Sequence, residues 1–348
     1  MKSVIQSRRR CLLGGASALA GMALAPAANA MALPGRDWRH TPAAAAGTMR
    51  IGGDLLLNRL GFGTGRLNGV DFQGMPPDAR GARALLRRAV ELGCMLIDTS
   101  ELSGPHGTER LIYDALSPYP EGLVVSTKGG ALRVNGRQFA DGRPEALRKA
   151  CEQSLRNLRI ERHDLYQLHI ADPGVPIEES VGELARLQQE GKIRHIGLSD
   201  VSADELARSL RTAKIVSVER RYNFWDRSAD DIVAECERHR LAFLPWGTFT
   251  PSGPPPPSPA TVQQNASAAP TPAPVKAEPD AILVARTRAL EALARERRVT
   301  TNQLAVAWLL ARSPVILPIP GTTQRDHLEE NVAAARIHLT REEFRRLG

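Results

Sequence analysis

Three ionisable residues close three short apolar runs. Asp98 follows Met95–Ile97, Lys128 follows Leu123–Thr127 and His169 follows Leu165–Leu168. A carboxylate, an ammonium and an imidazole are the residue types of general acid–base work on a polar reacting group. Alone, each has an ordinary role: Asp98 as a cap, Lys128 as a solvated loop residue, His169 as a satisfied core histidine. Three successive strand ends make a shared site the better reading, because strand ends are where a parallel barrel assembles its chemistry. A hydroxyl, Ser103, follows in the loop after Asp98.

Such a cluster needs parallel strands that deliver their ends to one face. Short β-rich apolar segments alternate with helical patterns from residue 60 to the C-terminus, with strand ends near Gly63, Asp98, Lys128, His169, Ser199, Glu219, Trp246 and Ile319. Apolar residues three and four apart mark helices over Ala79–Leu92, Pro144–Leu158, Ile177–Glu190, Ala203–Thr212 and Ala229–Arg238. Eight strand–helix units imply an α/β fold, a (β/α)8 TIM barrel. The rival is an open doubly wound sheet, and the missing Gly-x-Gly-x-x-Gly after the first strand counts against it. Arg50–Arg59 fits a small hairpin across the barrel bottom.

The local words are specific. Leu96–Glu109 contains Asp98-Thr99 and, four residues on, Ser103-Gly104. It resembles the aldo-keto reductase signature, in which a buried strand ends in Asp-Thr and a Tyr-Gly pair follows. Ser126-Thr127-Lys128-Gly129-Gly130 and Asp164-Leu165-Tyr166-Gln167-Leu168-His169 look like that family's lysine and histidine strands. Gly191–Asp200 resembles its Gly-Lys-Ile-Arg-x-Ile-Gly-x-Ser-Asn word, and Pro318–Thr323 with His327–Asn331 resembles its adenosine-phosphate site. The resemblance covers residues 50–347 except a proline-rich insertion.

The resemblance implies reversible hydride transfer between NADP(H) and a small carbonyl or alcohol substrate. It assigns catalytic positions to Asp98, Ser103, Lys128 and His169. Gly63, Thr64 and Asp98 would line the nicotinamide half of the cofactor. Ser199 and Asp200 would hold its carboxamide beside Glu219, and Trp246 would stack on the ring. Gly321 and Thr322, at a strand-to-helix turn, would meet the adenosine phosphate, since helix N-termini suit anions. Glu330 and Asn331 would meet adenine, with Arg325 and His327 as the cations nearest the 2′-phosphate.

Three positions depart from the family pattern. Asp200 stands for an expected Asn and Glu219 for an expected Gln, which trades amides for acceptor-only carboxylates. Ser103 occupies the place of the tyrosine that protonates the developing alkoxide. General-acid help is worth roughly 10²–10⁴ in rate, and a serine hydroxyl is shorter and far less acidic. The sequence leaves three outcomes open: a water relay through Ser103, Lys128 and His169; direct donation from His169 or His106; or nucleotide binding without turnover. The alternative to an enzyme is therefore a pseudoenzyme serving as an NADP(H)-binding or interaction module.

Composition sets the remaining bounds. The 348 residues are 42% hydrophobic with a formal net charge of +8. Residues 1–30 hold Lys2, Arg8, Arg9 and Arg10 and no acid, so their removal leaves 42 basic against 38 acidic residues. That balance gives no reason for a nucleic-acid partner. Ser7–Leu13 resembles a twin-arginine motif, Leu12–Leu24 is an apolar Gly/Ala-rich run, and Ala28-Asn29-Ala30 fits a cleavage site. These features predict export, to the periplasm, with no membrane insertion once the signal is removed. Residues 31–49 read as a flexible segment ahead of the 50–348 barrel. The 251–280 stretch carries ten prolines and almost no large apolar residue, so it reads as a low-complexity insertion. Cys94, Cys151 and Cys236 have no zinc or disulfide spacing and read as buried thiols; no metal site is expected. Substrate identity and oligomeric state stay open.

Overall fold

A computed structural model describes residues 37–69, 74–104, 107–134, 137–249 and 281–348. Its central feature is a parallel sheet of seven strands: β3 (Phe62–Gly63), β4 (Leu96–Asp98), β5 (Val124–Gly129), β8 (His163–Leu168), β9 (Ile193–Ser199), β10 (Ile215–Arg221) and β11 (Ala242–Trp246). They pair in that order, each with the next. Residues 315–319 close the ring. Ile316 bridges Phe243 of β11, Leu317 N donates to Phe243 O at 2.9 Å, and Gly61 N donates to Pro318 O at 2.9 Å. The eighth stave is irregular because Pro318 and Pro320 bring no N–H to a ladder. The fold is thus an α/β TIM barrel, as the alternation implies.

The helices follow their sequence signals. They are α1 (Ala79–Glu91), α2 (Gly107–Leu116), α3 (Pro144–Leu158), α4 (Ile177–Gln189), α5 (Ala203–Thr212), α6 (Asp230–His239), α7 (Ala281–Arg297), α8 (Thr301–Arg312), α9 (Arg325–Ala333) and α10 (Arg341–Arg346). Pro144 opens α3 where its missing N–H costs nothing. Ser202 with Glu205, and Thr300 with Gln303, form capping boxes at the starts of α5 and α8. Leu85, Leu86, Ala89 and Val90 bury one face of α1, as spacings of three and four require.

The hairpin expected near Arg50–Arg59 is present as β1 (Thr48–Ile51) and β2 (Leu55–Asn58), antiparallel. It is fastened to the N-terminal half of β9. Arg194 Nη2 lies 2.8 Å from Asp54 Oδ2, and His195 Nε2 lies 2.6 Å from Asp54 Oδ1. The described part of the 31–49 segment differs from expectation. Trp38–His40 and Pro42–Ala46 are 3-10 turns, Ala43 is fully buried, and Ala43 N donates to Leu92 O at 2.9 Å. A short Ala/Pro run gave no periodicity, yet its backbone is held by groups distant in sequence, among them Asn58 Nδ2 on Trp38 O. A second hairpin, β6 (Ala131–Val134) with β7 (Arg137–Ala140), rises from the C-terminal end of β5 and had no clear sequence signal. Cys94, Cys151 and Cys236 are buried free thiols, as expected. The signal-like residues 1–30 and the 251–280 insertion lie outside the described residues.

The closing seam depends on glycine. A Cβ on Gly63 would sit 2.6 Å from Ile319 O, and one on Gly321 would sit 2.4 Å from Gly63 O. These obstacles are backbone atoms on both sides, so neither can rotate aside. Arg59 staples the start of the seam, donating to Ser313 O at 2.6 Å, Leu310 O at 3.1 Å and Ile316 O at 3.1 Å.

Gly321→Ala should therefore destabilise the protein by roughly 2–3 kcal/mol. Gly182→Ala, at an open position on α4, should be neutral or stabilising by up to about 1 kcal/mol. Urea unfolding of the two variants beside the wild type checks this, and equal midpoints for Gly321→Ala and wild type would contradict it.

Candidate active site

Four inward side chains from four strands converge at the C-terminal end of the barrel. Lys128, near the end of β5, places Nζ 2.9 and 2.7 Å from Asp98 Oδ1 and Oδ2. The same nitrogen lies 2.9 Å from Thr99 O and 3.0 Å from Glu219 Oε2 on β10. An ammonium has three N–H donors, and here all three are used. Gln167, paired with Lys128 across β5 and β8, sends Nε2 to Glu219 Oε2 at 2.8 Å, Ser126 Oγ at 3.0 Å and Asp98 Oδ1 at 3.4 Å. Gln167 Oε1 is enclosed with no hydrogen-bond partner. All four side chains are buried.

The electrostatics follow from the count of charges. Burial alone would push the Lys128 ammonium down, but Asp98 and Glu219 outweigh it and hold it above its usual value. Glu219 moves the other way: burial, then repulsion from Asp98, pushes its carboxyl up to about 8 against the pull of Lys128. One ammonium cannot fully compensate two enclosed carboxylates, so Glu219 bears the deficit.

Ser103 sits in the turn after β4 and is 8% exposed. Its Oγ lies 3.1 Å from Ser100 Oγ, and its carbonyl accepts from Thr108 N. Gly104 beside it adopts φ +59°, and a Cβ there would meet Gly74 O at 2.1 Å, so the Ser-Gly turn needs its glycine. His169 lies just beyond β8, with its backbone N on Gly129 O at 2.8 Å. The residue is half-buried, and its Nδ1 is enclosed without a partner. Burial, together with the positive charges of Lys128 and Arg133, pushes this imidazole down to about 3. His106 lies outside the described residues.

The other expected contact residues form a ring around this cluster. Gly63 ends β3, and Thr64 donates both N and Oγ1 to Asp98 O, at 2.8 and 2.9 Å. Ser199 ends β9 and is buried. Asp200 follows in a left-handed conformation, φ 49°, with its N on Glu219 O at 2.9 Å. Trp246 at the end of β11 donates Nε1 to Asp200 Oδ1 at 3.1 Å, and the Arg221 guanidinium lies 5.8 Å from the Trp246 ring centre. Burial pushes the Asp200 carboxyl up, with the Trp246 N–H, Arg220 and Lys128 opposing.

The remaining positions form a second group past the seam. Gly321 packs on Gly63 O, and Thr322 Oγ1 accepts from Gln324 N at 3.0 Å. Arg325 and His327 are exposed on α9, where Arg325 Nε pairs with Glu329 Oε1 at 3.0 Å. Glu330 is turned toward α8: its carboxylate accepts from Thr300 Oγ1 and its carbonyl from Gln303 Nε2. Asn331 is buried.

Sequence reasoning missed Gln167 and Glu101. Gln167 had a signal, since it lies two residues before His169 in an otherwise apolar run and shares its strand parity. Glu101 had none. It is buried, accepts from Ala131 N at 3.3 Å, and is pushed up to about 8 by burial, with Glu109 and Asp141 adding repulsion. Among the described residues no group of three His, Cys, Asp or Glu is placed to hold a metal.

The model of the aldo/keto reductase family matches residues 59–348. An uncharacterised oxidoreductase of Schizosaccharomyces pombe is 37% identical over 88% of this chain and 90% of its own length. Pyridoxine 4-dehydrogenase of Escherichia coli is 35% identical over 82% of this chain and 92% of its own. Among solved structures, a glycerol dehydrogenase from Gluconobacter oxydans superposes with a TM-score of 0.71 at 28% identity, covering 87% of this chain and 94% of that one. The chain belongs to the aldo/keto reductase family.

Proposed function

We propose that this protein is an NADP(H)-dependent oxidoreductase that interconverts a small carbonyl compound and its alcohol, with a proton donor other than a tyrosine. The observation that carries the reading is the buried Lys128–Asp98 pair at adjacent strand ends, beside Glu219 and His169. A dead scaffold has no need of such groups, because burying charge costs more than apolar packing of the same volume. Solved aldo-keto reductases from Klebsiella pneumoniae carry NADP or NADPH. This chain's residues suit that cofactor. Asp200 and Glu219 offer acceptors to a carboxamide NH₂, and Trp246 offers an indole face. NADPH, when bound, supplies the hydride; the protein must orient the carbonyl, exclude water and manage one proton.

Ser103 stands where the family's tyrosine is expected, and its Oγ is paired with Ser100 rather than with Lys128. His169 is no imidazolium donor at neutral pH, because its ring stays neutral above about 3. Its N–H remains available to hold a substrate oxygen. The second reading, a nucleotide-binding module, is favoured by one observation, the full occupation of the Lys128 donors. We further propose that residues 1–30 direct export through a twin-arginine route, which places the reaction in the periplasm.

The mature protein, from Met31 on, should quench its tryptophan fluorescence saturably with NADPH and oxidise NADPH with at least one member of a panel of aldehydes, ketones and quinones. No quenching and no oxidation would sink the proposal. Quenching with turnover only in Ser103→Tyr would establish the binding module instead. The His169 ring, followed by NMR, should show no titration between about pH 5 and 8; a midpoint near 6 or 7 would contradict its assignment as a neutral hydrogen-bonding group.

A further inference from the structure

Asp98, Lys128 and Glu219 are two carboxylates on one ammonium, so with all three ionised the buried cluster carries one uncompensated negative charge. A reduction that ends in an alcohol consumes one proton. We propose that this cluster stores that proton in place of the missing phenol, with Lys128 as the group that delivers it and Glu219 as the positioning acid that recharges Lys128. This deepens the reading of the preceding subsection and rests on it.

The hydrogen bonding distinguishes two states. In the structure every Lys128 N–H is committed, to Asp98, Thr99 O and Glu219. That is the discharged form. Protonation of Glu219 removes its demand for an ammonium N–H and frees one Lys128 donor for a substrate oxygen. The Glu219 acid then needs an acceptor, and Gln167 Oε1, enclosed and unpartnered, supplies one when the amide turns over. An amide beside Glu219 is suited to both states, whereas an apolar residue suits neither.

The step balances. Hydride arrival at the carbonyl carbon moves the C=O π pair onto oxygen. An N–H bond of Lys128 breaks and an O–H bond forms on that oxygen, leaving a neutral amine. The Glu219 O–H bond then breaks as Nζ is reprotonated, which regenerates the ion pairs seen in the structure. Solvent returns a proton to Glu219 for the next cycle. Oxidation of the alcohol runs the same transfers backwards. The charged groups facing Glu219 are Asp98 from β4 and Lys128 from β5, with Gln167 the polar neighbour from β8 and Asp200 beside its backbone. Burial and repulsion from Asp98 both raise the Glu219 carboxyl, which favours the filled store.

The test compares wild type with Glu219→Gln, which keeps shape and loses the proton. Reduction by wild type should be constant below the Glu219 pKa and fall about tenfold per pH unit above it, while oxidation rises over the same range. Glu219→Gln should lose this limb and reduce its substrate roughly 10²-fold more slowly at neutral pH, with NADPH quenching retained. Infrared difference spectra between neutral and alkaline pH, in a Glu101→Gln background to remove the other carboxyl held near 8, should show loss of a protonated-carboxyl C=O stretch, absent when Glu219→Gln is added. A limb that persists in Glu219→Gln overturns the proton store and leaves the reductase reading intact. Absence of any titrating carboxyl stretch overturns it even if the variant does not fold. Nucleotide binding with no turnover in wild type overturns both.

Discussion

One buried ammonium between two carboxylates sets the terms for the rest of the barrel mouth. Lys128 reaches Asp98 on one side and Glu219 on the other only because β4, β5, β8 and β10 present inward side chains at one level. Removing Lys128 would leave two buried carboxylates without a counter-charge, which costs several kcal/mol. The neighbouring polar residues follow from this. Gln167 shares its N–H groups among Glu219, Ser126 and Asp98, Thr64 takes the Asp98 carbonyl, and Asp200 takes the Glu219 carbonyl.

The same geometry depends on closure far from any charge. The stave at 315–319 holds Pro318 and is followed by Pro320, which interrupt regular pairing, so closure is made by a few bonds, the Arg59 staple and glycines at Gly63 and Gly321. Those glycines also form the rim beside Thr64 and Thr322. A bulkier rim would hold the first and last staves apart and move β3 relative to β4, on which the Thr64–Asp98 contacts depend. Stability of the seam and precision of the site are thus one requirement.

Much of this was legible in the sequence for identifiable reasons. Strand ends at Asp98 and Lys128 showed because parallel strands buried on both faces are short apolar runs and charges can occur only where they stop. Helices such as α3 and α5 showed through periodicity and caps. The partner of Lys128 was harder to foresee. In the sequence Glu219 reads as a strand end beside the nicotinamide carboxamide, not as a partner of Lys128, and only the curvature of the barrel brings β10 across to β5. Glu101 and the β6–β7 hairpin were hidden for a related reason, since burial of a loop carboxylate depends on neighbours distant in sequence. The 3-10 turns at 38–46 are held by tertiary bonds and leave no pattern.

Ser103 is the point at which family resemblance and physical chemistry diverge. Its hydroxyl is engaged with Ser100, and the lysine beside which a phenol would be expected has no donor to spare while Glu219 is ionised. The most direct test of this account is kcat/KM for carbonyl reduction in Ser103→Ala against wild type under single-turnover conditions. If the proton comes from the Lys128 cluster, the two should agree within about threefold. A loss of roughly 10² or more, the size expected for removal of a general acid, would show that Ser103 carries the proton and would contradict the account.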